Sequence, residues 1–322
     1  MKHVVILGAG PAGMSCALWL KNLGCQPLVL ERESEAGGLL RHNVLANDWV
    51  LGQQGQTGSA MAQQFARHFA ASRIAVRYGA DLRRIDHDSR GYVLECADGE
   101  VLTAAALVVA TGTRVNGGEW LASLPGASAV PPERLCVGPA AFGNEARFRG
   151  RQVLVVGGGD NAHEFVRFTA AQAAHQIMLV RTARKAQLAQ QQAVDALVDA
   201  GQVSLYEHTV VSGLEWRDQQ LVARLGGSGA PATRLLADML VVQTGYLPNS
   251  EAVLAALDPA LRTSLAVDAD GYFLTDALGR TRCPGLYAIG DISNRDTPCV
   301  VTALAAGASA ARDIERSFRE QP

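Results

Sequence analysis

Six cysteines in 322 residues are too few and too scattered to staple the chain or to hold a metal ion. They stand at positions 16, 25, 96, 136, 283 and 299, with the closest pair nine apart. The chain therefore contains neither Cys-x-x-Cys nor a zinc-ligand spacing, and no metal is expected. Free thiols, most of them buried, suit a reducing compartment. No apolar run approaches the roughly 18 residues of a membrane span, and no charged leader with a cleavage site opens the chain. A cytoplasmic protein without a membrane partner is the expectation. Excess charge is missing too: the formal net charge is -2 and the signs are mixed. With no Lys/Arg cluster longer than a few residues, nucleic acid is excluded as a partner. What remains is 48% hydrophobic and only 19% charged, a composition for a large core, and the length suffices for two domains.

The most informative stretch lies at the start. Val4-Val5-Ile6-Leu7 runs into Gly8-Ala9-Gly10-Pro11-Ala12-Gly13, and Met14 to Leu20 follows as a good helix former. This is G-x-G-x-x-G between a strand and a helix. Gly8 makes the turn, Gly10 lets the backbone approach a pyrophosphate, and Gly13 lets the helix pack closely on the strand. A diphosphate then sits on the helix N-terminus, where free N–H groups and the positive end of the dipole face outward. The pattern demands an acid after a second strand. Pro27-Leu28-Val29-Leu30 reads as that strand and Glu31 closes it, 23 residues past Gly8, placed to accept both ribose hydroxyls. Gly37-Gly38 forms a further turn, followed by Leu39.

A polar loop from Arg41 to Gln56 leads to an amphipathic helix over Thr57 to Ser72, with Met61, Phe65 and Phe69 on one face. Ile74-Ala75-Val76, Tyr92 to Cys96 and Val101-Leu102 read as a small antiparallel meander, with Asp98-Gly99 as a turn. Leu107-Val108-Val109-Ala110 is a buried strand that exits sharply at Thr111-Gly112. From Arg114 to Arg149 the composition turns loop-like, which marks a domain boundary.

The opening theme then repeats. Gln152 to Val156 is a strand, Gly157-Gly158-Gly159-Asp160-Asn161-Ala162 is G-x-G-x-x-A, and a helix continues from His163. His163 reads as a phosphate-side or surface histidine, not a general base. After the next strand, Ile177 to Val180, the ribose-reading position holds Arg181 with Arg184 nearby. A guanidinium there suits a 2'-phosphate and favours NADP over NAD. A helix over Ala186 to Ala200 and further strands lead to Met239 to Gly245, and a linker follows at Tyr246 to Asn249. Leu286 to Ile289 closes in Gly290-Asp291, at the strand edge where ligands bind in open parallel sheets. A helix from Val300 to Phe318 ends the pattern.

Two dinucleotide units, joined at Ala110-Thr111-Gly112 and Gly245-x-x-Pro248-Asn249 and finished by Gly290-Asp291, resemble the two-dinucleotide-binding flavoprotein family, in particular its low-molecular-weight thioredoxin reductase branch. The resemblance implies an α/β fold of two Rossmann-like domains, the second inserted in the first: residues 1–114 with 247–322 for FAD, and 115–246 for NAD(P)H. It implies that Gly8, Gly10, Pro11, Ala12, Gly13, Glu31, Gly38, Leu39, Ala110, Thr111, Gly112 and Gly290 surround FAD, with Asp291 on its ribityl chain. Cys299 and Val300 fall at the flavin pyrimidine end, and Asp48 takes a place usually held by Asn. Gly157, Gly159, Asp160, Asn161, Ala162, Arg181, Arg184 and Gly245 fall at NADPH. The family's nucleotide-reading His-Arg-Arg reads here as Arg181-Thr182-Ala183, so NADH stays open as an alternative. A homodimer is implied as well.

The redox-active Cys-x-x-Cys-Asp of that branch reads here as Cys136-Val137-Gly138-Pro139-Ala140. The resolving thiol and the acid are gone. No catalytic residue stands out, and Cys136 and Cys299 are the two candidates. Three readings stay open: an NAD(P)H-dependent flavoprotein oxidoreductase whose flavin reduces an unidentified outside acceptor directly, as ferredoxin- or flavodoxin-NADP reductases do; a disulfide reductase using a displaced Cys136/Cys299 pair; and a flavin-bearing redox sensor without turnover.

Overall fold

The computed structural model describes residues 2–320. The chain divides into two compact units, residues 1–114 with 247–322, and residues 115–246.

The first unit opens with β1 (His3–Leu7), whose last four residues are buried on both faces, as an unbroken Val-Val-Ile-Leu run requires of a central parallel strand. The helix α1 (Pro11–Asn22) starts with Pro at its first turn, where the missing N–H costs nothing, and Gly24 beyond its end takes φ +85°. Then come β2 (Gln26–Glu31), α2 (Gly58–Ala71) and β3 (Ala75–Tyr78). Thr57 caps α2, its Oγ1 accepting from Ala60 N at 3.1 Å, and Met61 and Phe69 are buried beneath it. The strands β4 (Leu82–Asp88), β5 (Gly91–Cys96) and β6 (Val101–Ala104) form an antiparallel meander, and β7 (Ala106–Val109) returns to the core.

The meander differs from the one expected. Residues 74–76 do not belong to it: β3 pairs parallel with β2, Leu28 opposite Ala75. A half-exposed edge strand shows the same alternation whether its partner is parallel or antiparallel. The actual first strand, β4, has only Leu82 and Ile85 as apolar members, and Ile85 alone reaches the core at 0% exposure.

After β8 (Thr113–Val115) the chain enters the second unit. The stretch that reads as loop holds α3 (Gly118–Ser123) and a three-residue strand, β9 (Leu135–Val137). Next are β10 (Gln152–Val156), α4 (Asp160–Thr169), β11 (His175–Leu179), α5 (Leu188–Asp199) and β12 (Val203–Tyr206). A second meander, β13 (Val210–Arg217), β14 (Gln220–Gly226) and β15 (Arg234–Ala237), precedes β16 (Met239–Val242). The parallel sheet runs β12-β11-β10-β16-β9, so its last position is filled by a strand that precedes all the others in sequence. Phe148, Phe165, Val194 and Met239 pack one face of it.

Back in the first unit, β17 (Tyr246–Pro248), α6 (Glu251–Ala256) and α7 (Pro259–Ser264) lead to β18 (Leu286–Ala288) and the long α8 (Val300–Glu320). The parallel sheet here runs β18-β7-β1-β2-β3. Helix α8 lies directly on α1 because Gly307 carries no side chain: a Cβ there would meet Ala12 O at 2.5 Å. Its buried Asp313 accepts from Arg280 Nε at 2.6 Å and Tyr287 Oη at 2.8 Å, which fixes the helix to the end of the sheet. Among the described residues no helix is long and apolar enough to cross a membrane. In both units the parallel sheet packs its long helices on one face (α1, α2 and α8; α4 and α5) and an antiparallel meander on the other (β4–β6; β13–β15), an α/β architecture of the Rossmann-like class expected from the repeated strand–turn–helix pattern.

Candidate functional site

In each unit a glycine turn meets the end of the neighbouring strand. In the first, Gly8 has φ +106°, and a Cβ on it would lie 2.4 Å from Ala110 O. Its N–H donates to Leu30 O at 2.8 Å, and Ala110 N donates to Leu7 O at 2.8 Å, so the turn is sewn to both flanking strands. A Cβ on Gly13 would lie 2.0 Å from Gly8 O, which is why the helix can start so close to β1. Gly10 differs. A Cβ on it would find nothing within 4 Å, while Gly38 approaches it from the next turn, a Cβ there meeting Gly10 Cα at 3.3 Å. The bare backbone of Gly10 therefore lines an open face between two glycine turns, with Pro11 behind it, Ala12 buried and Leu39 half-buried in the second turn.

Two carboxylates stand at this edge. Glu31 ends β2, 8% exposed, with Oε2 accepting from Ala9 N at 2.6 Å and Oε1 from Glu33 N at 2.9 Å. One acceptor site on each oxygen stays available for a hydroxyl. Asp291 follows β18, where Gly290 (φ +74°) packs so near Ala12 that a Cβ would fall 2.7 Å from the alanine methyl. Asp291 Oδ1 is buried without a hydrogen-bond partner, and burial pushes the carboxyl up to about 6. A buried carboxylate oxygen left unpaired is costly, so it calls for a donor from outside the chain. A dinucleotide with a diphosphate over Gly10 and hydroxyl donors at Glu31 and Asp291 fits these residues. Thr111 and Gly112 are tied in alongside, Asn249 Nδ2 donating to Thr111 O at 2.9 Å and Asn249 N to Gly112 O at 2.9 Å.

The second unit repeats the construction. A Cβ on Gly157 would meet Gln243 O at 2.1 Å, whereas one on Gly159 would find nothing within 4 Å. Gln243, which no motif in the sequence singles out, is 4% exposed and donates from Nε2 to Gly138 O at 2.9 Å, bracing the end of β16 beside the turn. Ala162 is buried and Asn161 half-buried in the first turn of α4. The loop after β11, residues 181–187, closes over the glycine turn through Lys185 N to Gly158 O at 2.7 Å and Gln187 N to Asp160 Oδ1 at 2.7 Å. Gly245, φ +87°, receives Asn116 N at 2.9 Å on its carbonyl.

Residues 2–307 of the chain match the family model for pyridine nucleotide-disulphide oxidoreductases. The chain belongs to that family. Its members are NAD(P)H-dependent flavoprotein oxidoreductases, and the family implies FAD and a nicotinamide dinucleotide as cofactors. Among relatives of this pyridine nucleotide-disulphide oxidoreductase is the bifunctional thioredoxin reductase/thioredoxin of Mycobacterium leprae, 28% identical, with 99% of this chain matching 66% of that protein. The thioredoxin reductase of Listeria monocytogenes is 28% identical over 98% of this chain and 94% of its own length. The crystal structure of Lactococcus lactis thioredoxin reductase superposes with a TM-score of 0.82 over 99% of this chain and 100% of that one. At 22% identity the last likeness is one of fold.

For a family whose chemistry runs through thiols, the placement of the cysteines matters. All six are free, and Cys16, Cys96, Cys136 and Cys283 are buried. Cys136 lies in β9, paired alongside Val241 of β16 and 5% exposed, and burial pushes its thiol up. Cys299 is exposed at the start of α8, where its sulfur sits 3.4 Å from Thr302 Oγ1, and Val300 beside it is buried. Asp48 is exposed and closes its own loop, Oδ1 accepting from Gly55 N at 2.9 Å.

Two expectations change. His163 is not a surface residue: it is 0% exposed, its Nδ1 hydrogen-bonded to Gly159 O at 3.0 Å. Because a carbonyl only accepts, Nδ1 carries the proton and Nε2 is left as a buried acceptor without a partner. Burial pushes the imidazole down, toward the neutral form. Arg184, expected as a second phosphate cation, is already held by two carboxylates, Asp195 Oδ1 at 2.6 Å and Glu207 Oε1 at 3.6 Å. Neither partner is legible in the sequence, since they stand 11 and 23 residues further along.

Proposed function

We propose that this chain is an FAD-dependent NAD(P)H oxidoreductase that delivers electrons from reduced flavin directly to an acceptor outside the chain, with no dithiol between. The observation that carries the reading is the stretch Cys136-Val137-Gly138-Pro139-Ala140, in which proline and alanine stand where a relay needs a second thiol and an acid. The burial of Cys136 in a sheet strand supports it, because a thiol pushed up by burial yields little thiolate to attack a disulfide.

When bound, FAD supplies two-electron uptake from NAD(P)H and onward transfer to the acceptor. The chain's own residues place the partners. Gly8, Gly10 and Gly13 hold the first turn open to a diphosphate at the N-terminus of α1, Glu31 takes the adenosine ribose, and Asp291 takes a hydroxyl of the ribityl chain. Gly38, Leu39, Ala110, Thr111, Gly112, Gly290, Cys299 and Val300 shape the rest of that site. Gly157, Gly159, Asn161 and Ala162 receive the nicotinamide dinucleotide in the second unit, with Asp160 tying the ribose loop down. Positioning, rather than acid–base chemistry, is the protein's part. A ferredoxin- or flavodoxin-type protein, or a small molecule such as a quinone, is the acceptor class this reading favours, and the working form is a homodimer.

The protein should purify yellow. Heat release of the chromophore followed by chromatography is expected to return FAD, noncovalently held and near one per chain; FMN or no flavin would sink the proposal.

A further inference from the structure

The loop of residues 181–187, which the proposed function puts at the ribose of the pyridine nucleotide, carries three cations, Arg181, Arg184 and Lys185, yet they are not equivalent. Arg184 is mostly covered, its side chain 20% exposed, and is gripped on two sides. Nη1 donates to Asp195 Oδ1 at 2.6 Å, Nε faces Glu207 Oε1 at 3.6 Å, and the same Glu207 oxygen accepts the backbone N–H of Arg184 at 2.9 Å. The two acids come from different elements, α5 and the segment after β12, so the guanidinium bridges both to the ribose loop. Asp160 adds a third carboxylate, bound to Gln187 on the far side of the loop. Arg181 and Lys185 are exposed, and no ion pair with either is found among the described residues.

Summed over these groups, three cations face three carboxylates. A dianionic 2'-phosphate arriving here meets no net positive charge, and it gains Arg184 only by breaking a double ion pair already made. We propose that Asp195 and Glu207 set the nucleotide specificity of this site: they lock Arg184 as a strut of the ribose loop, leave Arg181 as the main 2'-phosphate contact, and so make the chain accept NADH and NADPH on similar terms. The inference rests on the reading of the second unit as the pyridine nucleotide site. It assigns Asp195 and Glu207 as positioning residues that act through Arg184.

The test is calorimetric titration of the oxidised, FAD-loaded protein with NADP+ and with NAD+, which reads binding without turnover. The wild type should bind the two within about tenfold of each other. Asp195→Asn and Glu207→Gln each free part of Arg184 and should tighten NADP+ by roughly tenfold, the size of one charge-assisted contact, while NAD+ stays unchanged. Arg181→Ala should weaken NADP+ alone. A double variant, Glu207→Gln with Arg184→Ala, should lose the gain. A wild type that prefers NADP+ by a hundredfold or more, or acid variants that weaken both nucleotides equally, would overturn the inference, the second result meaning that the acids only hold the loop in shape. Binding of neither nucleotide would instead overturn the assignment of the unit, and this inference with it.

Discussion

At the scale of single residues, Asp291 has the most to reveal. Its carboxyl is pushed up to about 6 by burial, and Oδ1 has no partner. A carboxyl raised above its unfolded value binds its proton more tightly in the folded chain. The stability this contributes is therefore fully present below about pH 4 and is lost as pH rises through 6. Each tenfold change in proton affinity is worth roughly 1.4 kcal/mol, so the flavin-free protein is destabilised by about 2–3 kcal/mol at neutral pH. Asp291→Asn should therefore raise the melting temperature of the flavin-free protein at pH 8 and have little effect at pH 4.5, while weakening FAD binding because a neutral amide oxygen replaces the charged carboxylate acceptor. Equal stabilisation at both pH values would mean that ionisation of Asp291 is not the cause.

At the scale of elements, the glycines of the first turn separate two roles that the motif combines. Gly13 is needed for packing: a methyl there would lie 2.0 Å from Gly8 O, backbone that cannot yield, so Gly13→Ala must push α1 off β1. A loss of about 1–3 kcal/mol is expected, together with flavin. Gly10 is needed for the ligand. Its φ of -74° and ψ of 179° suit alanine, and nothing lies within 4 Å of the added methyl. Gly10→Ala should leave the flavin-free fold within about 0.5 kcal/mol of the wild type and still empty the protein of FAD. Melting curves and flavin absorbance on the same two variants check both statements; a Gly10→Ala protein that keeps its flavin would show that no diphosphate sits over this turn.

At the scale of the whole molecule the decisive quantity is how many electrons the protein stores. With a single thiol in the stretch before the second glycine turn, reduction should stop at the flavin. Anaerobic titration should consume about one NADPH per FAD, without a long-wavelength shoulder from a thiolate beside the ring. Cys136→Ser and Cys299→Ser should keep quinone or one-electron acceptor activity, and turnover with thioredoxin should be negligible. Two equivalents per flavin, falling to one in either variant, would identify the two cysteines as a displaced redox pair.

What could be read from the sequence alone was whatever local geometry dictates. A strand of Val4 to Leu7, a turn that only Gly8 can make, and a helix starting at Pro11 follow from φ limits and apolar runs within a few residues, and so does their repeat at Gln152 to Ala162. The Rossmann-like α/β class follows from that repeat. The tertiary structure decided everything that depends on a distant partner. Residues 75–78 joined the parallel sheet because β2 was there to pair with, and Leu135–Val137 became a sheet strand only because β16 had an open edge. Burial left Asp291 without a donor and sealed in His163, and Asp195 and Glu207 changed Arg184 from a free cation to a strut. Charge and burial are sums over neighbours that folding brings together, so residue type and spacing along the chain could place these groups at the site but not state what they would meet there.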